Sequence, residues 1–326
     1  MVADGGAPDI SFIVPVRDSA THLRRCLASI RGAVDGFAAE IIVVDNGSTD
    51  TSADVARAAG VRLLHQPDNN VSAARNAAAQ VAGGALLAFV DADQELARGW
   101  AAAAVGLMQG AGAAAVGSPY RSPPGGTWVQ QMYDRLRRHQ HGTREVEWLP
   151  SGNLVVSRAA FGRAGGFDPS LETCEDVDLC QRLRRHGGRI LASDELESVH
   201  HGDPRTLGAL FRGELWRGRD NLRVSLRGPF TWRSIPGVLF PILTLVGMAS
   251  VAGGLILWPV VTWRLAALGV LVLGLPVCVR AAVLLSADGR RTPPAIMQAL
   301  LFAAVYEAAR ALALVARAGH GLRRAD

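Results

Sequence analysis

Between Pro236 and Val261 the chain runs for 26 residues without a charged side chain, PGVLFPILTLVGMASVAGGLILWPVV. Few folds accept such a stretch. About 20 apolar residues cross the hydrocarbon of a bilayer, and backbone polar groups there must be satisfied within the segment, as a helix does. The run therefore predicts a membrane-spanning helix. A second candidate, LAALGVLVLGLPVCVRAAVLL, is interrupted only by Arg280 near one end. A third, AIMQALLFAAVYEAARALALVA, carries Glu307 and Arg310. Three residues apart, those two can pair on one helical face. The third segment either spans within a bundle or lies flat at the interface, and spanning is preferred.

Ahead of these segments the sequence has a different solvent. Short β-rich runs (ISFIVPV, EIIVVD, VRLLH, ALLAFVD) alternate with helical patterns (THLRRCLASIRGA, TSADVARAA, SAARNAAAQVA). Continuous apolar strands separated by helices predict a parallel sheet covered on both faces, and ligands of such sheets bind beyond the carboxyl ends of the strands. Asp45 and Asp91 each close one of these strands. Between the two regions, DPRTLGALFRGELWRGRDNLRVSLRG places Leu207, Leu210, Phe211 and Leu215 near helical spacing with Arg212, Arg217, Arg219, Arg223 and Arg227 around them. An Arg-rich amphipathic segment beside a span lies on an anionic cytoplasmic leaflet; the competing reading is a solvated helix on the globular domain. The expected organisation is a domain over 1–202, an interfacial linker over 203–235 and a membrane region of two or three helices over 236–326. Arginine excess before the first span puts the N-terminal domain on the cytoplasmic side, whereas the loop DGRR and the tail GLRRAD give a mixed signal. The expected location is the cell inner (plasma) membrane, multi-pass, with membrane lipids as partners.

All 34 basic residues are arginine, against 29 acids, for a net charge of +5. That balance suits nucleic acid, an anionic membrane or a phosphorylated substrate, and does not choose among them. With no lysine there is no Walker lysine, and the Gly-rich dinucleotide fingerprint does not follow the first strand. Cys26, Cys174, Cys180 and Cys278 show no Cys-x-x-Cys spacing and read as buried small hydrophobes of a reducing compartment. The N-terminal MVADGGAPDI carries no signal-peptide pattern.

Several polar residues stand where a ligand would bind. In IVPVRD, Pro15 is expected to end the first ladder. In IIVVDNGSTD, Ser48, Thr49 and Asp50 suit turn and cap work, while Asp45 precedes the turn and can accept from a base N–H or a ribose hydroxyl. Arg75, early in an Ala-rich helix, either reaches a phosphate with its planar fork or pairs with a neighbouring acid. Asp91 and Asp93, two apart, point the same way if the chain is extended there. Two such carboxylates suit a hard divalent cation that bridges phosphates. Glu175, Asp176 and Asp178 open a helix expected to end at Gly187–Gly188. Asp178 and Arg182 make an i,i+4 pair, while Asp176, beside other acids, is a candidate general base with a raised pKa. His200, ahead of His201, is a candidate additional metal ligand.

The order of VPVRD, IIVVDNGSTDTS, ARNAAA, FVDAD, GGFD, EDVDLCQRL and VHH, from Ile10 to His201, resembles family-2 inverting glycosyltransferases of bacterial membrane-anchored type. The resemblance implies an α/β GT-A fold, a Rossmann-like nucleotide-binding sheet with helices on both faces, followed by transmembrane helices. It implies a UDP-, GDP- or dTDP-linked sugar donor, Mg²⁺ or Mn²⁺, a glycan or lipid-linked acceptor and no nucleic acid. On the same basis Pro15, Val16 and Arg17 would line the nucleotide pocket, Asp45 would read the base, Arg75 would approach the base or diphosphate, and Asp91 would lie near the ribose. Asp93 and His200 would hold the metal, Asp176 would be the base, and Trp148, Gly152, Asn153 and Glu175 would form the acceptor side. Polyprenyl-phosphate sugar synthases share the early motifs but generally lack GGFD…EDVDL. Processive synthases usually carry Gln-x-x-Arg-Trp, for which GELWRGRDN is no match, so single-sugar transfer is expected. A non-catalytic membrane-bound nucleotide-sugar or glycan binder and a nucleotidyltransferase are the competing classes.

Overall fold

A computed structural model of the chain describes residues 7–34, 36–67, 70–137, 141–228, 235–256, 263–287, 289 and 291–323. The end of the long uncharged run (257–261), part of the linker (229–234), part of the DGRR loop and the last three residues lie outside the described set. In chain order the strands are β1 (Ile10–Val16), β2 (Ala39–Asp45), β3 (Arg62–His65), β4 (Leu86–Val90), β5 (Gln94–Leu96), β6 (Ala115–Gly117), β7 (Thr143–Glu145), β8 (Asn153–Ser157), β9 (Ile190–Ser193) and β10 (Ser198–His200). The first seven helices are α1 (Ala20–Ala33), α2 (Ser52–Ala58), α3 (Val71–Val81), α4 (Trp100–Gly110), α5 (Trp128–Leu136), α6 (Arg158–Arg163) and α7 (Glu175–Arg185). They are followed by α8 (Leu207–Arg217), α9 (Asn221–Arg227), α10 (Ile235–Ile256), α11 (Trp263–Ser286) and α12 (Pro293–Arg323).

Eight strands form one sheet in the order β3-β2-β1-β4-β8-β6-β9-β7, and β5 pairs with β10 in a separate ribbon. The strands β1 to β4 are parallel, as the continuous apolar runs predict. The whole sheet is mixed: β8 runs antiparallel to both β4 and β6, and β7 antiparallel to β9. Alternate residues of one strand feed opposite faces. Ile10, Phe12 and Val14 pack with Leu23, Cys26, Ile30 and Trp100 on one side. Ile13, Ile42, Val44, Leu87 and Phe89 pack with Ala74, Ala78, Phe161, Phe167 and Leu179 on the other. Covering both faces is what makes the strands apolar throughout.

Pro15 does not end the ladder. It pairs opposite Val44, and β1 continues to Val16 opposite Asp45. Val16 O accepts from Asn46 N–H, so the missing N–H of Pro15 faces the other side, where pairing with β4 has already stopped at Ile13–Phe89. Not every cysteine is a buried hydrophobe either. Cys26 and Cys180 are, but Cys174 is half-buried and Cys278 is exposed on an apolar helix.

The chain divides into two compact units, Met1–Pro123 with His139–Gly202, and Pro124–Arg138 with Asp203–Asp326. The segment carrying α5 thus groups with the C-terminal helices rather than with the sheet. In this second unit Val129, Met132 and Tyr133 share a core with Leu210, Val277, Ala281, Ala299 and Phe302. The amphipathic segment is broken into α8 and α9, with Leu210 and Glu214 the buried residues of α8. Among the described residues three helices are long and apolar enough to cross a membrane, over Ile235–Gly254, Ala266–Ser286 and Pro293–Ala316.

Glu307 and Arg310 both reach partners on other helices. Glu307 pairs with Arg280 of α11, and Arg310 lies 3.7 Å from Glu214 of α8. Charges in an apolar helix are tolerated when they face a partner on a neighbour. Glu307→Ala should strand Arg280 and destabilise this unit by about 3–5 kcal/mol. Thermal unfolding in detergent should show the loss for Glu307→Ala and largely restore stability in the Arg280→Leu/Glu307→Leu double variant; an unchanged single variant would refute the pair's structural role.

Candidate active site

The loops after β1 and β2 are clasped together. Asp18 N–H donates to Ser48 Oγ (3.1 Å), Ser19 N–H to Ser52 Oγ (3.0 Å) and Ala20 N–H to Asp50 Oδ2 (3.0 Å). Asp18 Oδ1 accepts from both Thr49 N–H (2.7 Å) and Thr49 Oγ1 (3.0 Å). The Thr49 N–H holds the Asp18 carboxyl below its ordinary value. Asp50 also accepts from Ser52 N–H, while Thr51, the residue before α2, makes no side-chain cap. The polar run DNGSTD therefore serves the turn and this clasp.

Pro15 is half-buried, Val16 buried and Arg17 exposed at the end of β1. Asp45 is buried at the end of β2, with Oδ1 accepting from Ser48 N–H (2.9 Å) and Oδ2 3.2 Å from Nδ1 of the exposed His65. The separation drawn in sequence between Asp45 and the turn residues does not hold: one of its oxygens does turn work.

Asp91 and Asp93 are not on extended chain. The strand stops at Val90, and Gln94 N–H closes a turn onto Asp91 O (3.0 Å). The turn sends the two carboxylates to different partners. Asp91 Oδ1 receives Arg75 Nη2 at 2.6 Å, and Asp93 Oδ2 lies 3.2 Å from His200 Nε2. Bare backbone flanks both acids: a Cβ on Gly152 would fall 2.3 Å from Asp91 Oδ2, and one on Gly202 would fall 2.1 Å from Asp93 Oδ2. Tyr120 closes the group, its ring stacked on His200 at 5.0 Å and its oxygen accepting from Gly152 N–H at 2.9 Å. Burial pushes the Asp91 carboxyl up against the pull of Arg75. Burial also acts upward on Asp93, but the charge and hydrogen bond of His200 outweigh it and hold Asp93 low.

The third contribution is the start of α7. Cys174, which precedes it, has φ +59°, a left-handed conformation that a non-glycine residue keeps only where its surroundings enforce it. Glu175 Oε1 accepts from Arg75 Nη1 (2.8 Å) and Ser151 Oγ (3.1 Å). Asp176 is half-buried, with Oδ1 accepting from Val177 N–H at 2.8 Å. Burial, reinforced by the neighbouring Glu175, pushes its carboxyl up to about 7. A carboxyl poised there can take a proton near neutrality. Asp178 forms its ion pair with Arg182 at 2.7 Å, and Arg182 in turn donates to Gly166 O (2.6 Å), pinning the GGFD loop.

Two residues expected on the acceptor side are committed elsewhere. Asn153 is fully buried, accepting from Trp100 Nε1 (3.0 Å) and donating to Leu196 O (2.7 Å) and Ser118 O (3.2 Å), so it braces the sheet. Glu175 turns inward to Arg75. Trp148 is 48% exposed and Gly152 abuts Asp91. The His201 imidazole pairs with Glu95 at 2.8 Å, while its backbone N–H donates to Asp93 O (2.9 Å). Tyr120, Ser151 and Gly202 belong to the site without having been singled out in sequence. Tyr120 lies in GSPYRSPPGG, where nothing distinguishes it from a surface turn.

Among the described residues no group of three or more His, Cys, Asp or Glu is arranged as a metal centre. Asp93 and His200 offer two donors, and Asp93 Oδ1 is buried without a hydrogen-bond partner. A hard carboxylate oxygen beside an imidazole fits Mg²⁺ or Mn²⁺ that takes its other ligands from a phosphate group and water.

Residues 11–167 match the family described as glycosyl transferase family 2. The pre-mycofactocin glycosyltransferase of Mycobacterium tuberculosis is 31% identical over 195 residues, 56% of this chain and 40% of that protein. Glycosyltransferase AglE of Haloferax volcanii is 26% identical over 240 residues, 68% of this chain and 78% of that protein. The chain thus spans only about two fifths of the length of the first of these. Among solved structures, the mannosyltransferase PcManGT from Pyrobaculum calidifontis in complex with GDP-Man and Mn²⁺ superposes with a TM-score of 0.61 at 18% identity, covering 94% of this chain and 88% of that one. GalNAc-T7 with UDP, GalNAc and Mn²⁺ gives 0.50 at 18% identity, covering 70% and 53%. The mixed sheet with its flanking helices is the GT-A fold.

The contact at Gly152 is directly testable. Gly152→Ala should drive a methyl group into Asp91 and Tyr120, both held by other partners, and cost about 1–3 kcal/mol. Denaturant unfolding of the variant should show that loss, and a variant as stable as the parent would mean the turn can yield.

Proposed function

Since residues 11–167 match glycosyl transferase family 2, we propose that the chain transfers a single sugar from a nucleoside-diphosphate sugar to a saccharide or lipid-linked saccharide, with inversion at the anomeric carbon. The observation that carries this reading is Asp176: a half-buried carboxyl with a pKa near 7, one residue from the ion pair that reaches Asp91.

Asp176 in its ionised form takes the proton of an acceptor hydroxyl while that oxygen attacks the anomeric carbon. The bond from that carbon to the diphosphate oxygen breaks, and the electron pair leaves with the nucleoside diphosphate. Attack opposite to departure inverts the configuration in one displacement. Asp93 and His200 are the residues that would hold Mg²⁺ or Mn²⁺, which when bound neutralises charge on the leaving diphosphate. Pro15, Val16 and Arg17 would border the nucleotide. Asp45 would meet the base through Oδ2, whose partner His65 is exposed and replaceable, while Oδ1 keeps the turn. Asp91 would approach the ribose, and Trp148 would offer an exposed ring to the acceptor. The ligands of PcManGT and GalNAc-T7, GDP-Man or UDP and GalNAc with Mn²⁺, support a nucleotide-sugar donor and a divalent ion here.

The three apolar helices support residence in the inner membrane, and the arginine distribution supports a cytoplasmic catalytic domain. A membrane-resident enzyme suits an acceptor that is itself lipid-linked. A polyprenyl-phosphate acceptor is the second reading, disfavoured by the GGFD…EDVDL segment, whose Arg182 contacts brace the region beside Asp176.

Turnover in a donor screen on membranes, followed as nucleoside diphosphate release, should require Mn²⁺ or Mg²⁺ and disappear on chelation. Asp93→Ala should weaken Mn²⁺ binding in calorimetry with UDP or GDP present. Full activity under strong chelation would defeat the metal assignment. Because the base must be ionised, kcat/KM should fall as pH drops through about 7 and level off above it. Asp176→Asn should cut kcat by about 10²–10⁴-fold.

The same variant has an opposite effect on stability. The carboxyl's value is raised from 3.8 to about 7 on folding, so its contribution is fully present below 3.8 and lost as pH rises through about 7. Above that, Asp176→Asn removes a buried charge and should stabilise the fold by about 0.5–2 kcal/mol. Thermal midpoints at pH 5 and pH 8 check this, with the gain expected at pH 8.

A further inference from the structure

Arg75 lies on α3 with its side chain 2% exposed. Nη1 is 2.8 Å from Glu175 Oε1, Nη2 is 2.6 Å from Asp91 Oδ1, and the guanidinium carbon stands 5.3 Å from the centre of the Phe167 ring. Its three partners come from the turn after β4, the first turn of α7 and the GGFD loop. We propose that Arg75 is a positioning residue: it couples the donor-side turn at Asp91 to the strained start of α7, and thereby fixes Asp176 relative to the bound donor, without itself touching the diphosphate. This rests on the transfer reading given above.

Three features carry the assignment. Both terminal nitrogens are already engaged at short distance, so reaching a phosphate would break one of two buried ion pairs and leave a carboxylate uncompensated. The guanidinium is a rigid planar fork, which sets the direction of both carboxylates at once, whereas an ammonium on a flexible stem sets neither. And α7 begins at Cys174 with φ +59°, a conformation that needs external support. The Glu175 side chain, on the residue that follows, is anchored by Arg75 and Ser151 Oγ. Asp176 is the next residue, so its direction follows from that anchor.

The charged and titratable groups acting on Asp176 are Glu175 beside it on α7, Arg75 from α3, and Tyr120 and Cys180, which feel its charge. Removing Arg75 leaves Glu175 uncompensated and should move the acid limb of kcat/KM to higher pH. Removing the Glu175 charge should move it lower. If Arg75 acts through Glu175, the double variant should titrate like Glu175→Gln alone, whereas simple cancellation is what two independent charges would give.

The experiment uses the full chain in detergent with Arg75→Met, Arg75→Lys, Glu175→Gln and Arg75→Met/Glu175→Gln. Arg75→Met should lower kcat about a hundredfold, as expected for a misplaced catalytic group. Calorimetric affinity for UDP and GDP with Mn²⁺ should change by less than about threefold. The acid limb should rise in Arg75→Met, fall in Glu175→Gln and stay at the Glu175→Gln position in the double variant, with Arg75→Lys recovering only part of kcat. Hydrogen exchange in Arg75→Met should rise in two segments, 91–95 and 173–178. Loss of nucleoside diphosphate affinity of about tenfold or more with the acid limb unmoved would overturn the proposal in favour of direct contact. Exchange rising throughout the sheet, or in one segment only, would also overturn it. If Arg75→Met does not fold, the double variant, which removes one cation and one acid together, carries the same test: retained nucleoside diphosphate affinity with raised exchange in both segments supports the proposal, and weakened affinity overturns it. Should the parent turn over no donor, the transfer reading fails on its own, while the paired rise in exchange still decides whether Arg75 couples the two segments.

Discussion

Acids crowd the carboxyl edge of this sheet, and their closeness is tolerable because cations are buried among them. Asp91 and Glu175 would repel each other and pay for lost hydration if left alone there. The Arg75 guanidinium between them turns that cost into two short charge-assisted hydrogen bonds. Around this point the rest of the site is arranged. Asp93 is drawn toward His200, Tyr120 stacks on that imidazole, and glycine backbones at 152 and 202 fill the space that side chains would otherwise contest. Asp176, next to the bridge but without an ion pair of its own, is left with a raised pKa.

The C-terminal unit obeys the same rule in an apolar setting. Glu307 and Arg280 meet across α11 and α12, with Arg280 lying 4.2 Å from the centre of the Tyr306 ring. Glu214 gathers Tyr133 Oη (2.8 Å), Arg217 (3.1 Å) and Arg310 (3.7 Å) from three helices. Polar contacts of this kind specify which helices are neighbours, a task that uniform apolar surfaces perform poorly. They also draw α5, distant in sequence, into this unit.

Much of this was legible in the sequence. Continuous apolar runs announced the strands β1 to β4 and their parallel order, because a strand buried on both faces has no polar side to show. Asp178 and Arg182 declared their pairing through helical spacing alone, and the long uncharged segment announced a helix long and apolar enough to cross a bilayer. Where the reading failed, the missing information was non-local. Glu307 and Arg310 satisfy the spacing for a helix pair, and spacing could not announce that Glu307 also meets Arg280 and Arg310 also nears Glu214 on other helices. Asn153 carries the residue type of a ligand contact, yet its amide is consumed by Trp100, Ser118 and Leu196. Asp91 and Asp93 meet different partners, and the strand on which a common direction was expected ends at Val90.

Taken alone, the sequence determined the periodicities, and with them the α/β layers, the apolar helices and the set of acids placed at strand and helix ends. These follow from local spacing and solvent preference, which neighbouring residues settle among themselves. Only the tertiary structure decided that residues 75, 91 and 175 form one bridge, that Tyr120 joins them, and that residues 124–138 group with the C-terminal helices. Ion pairs act over a few ångströms of space whatever the separation along the chain, so their partners become visible only once the chain has folded.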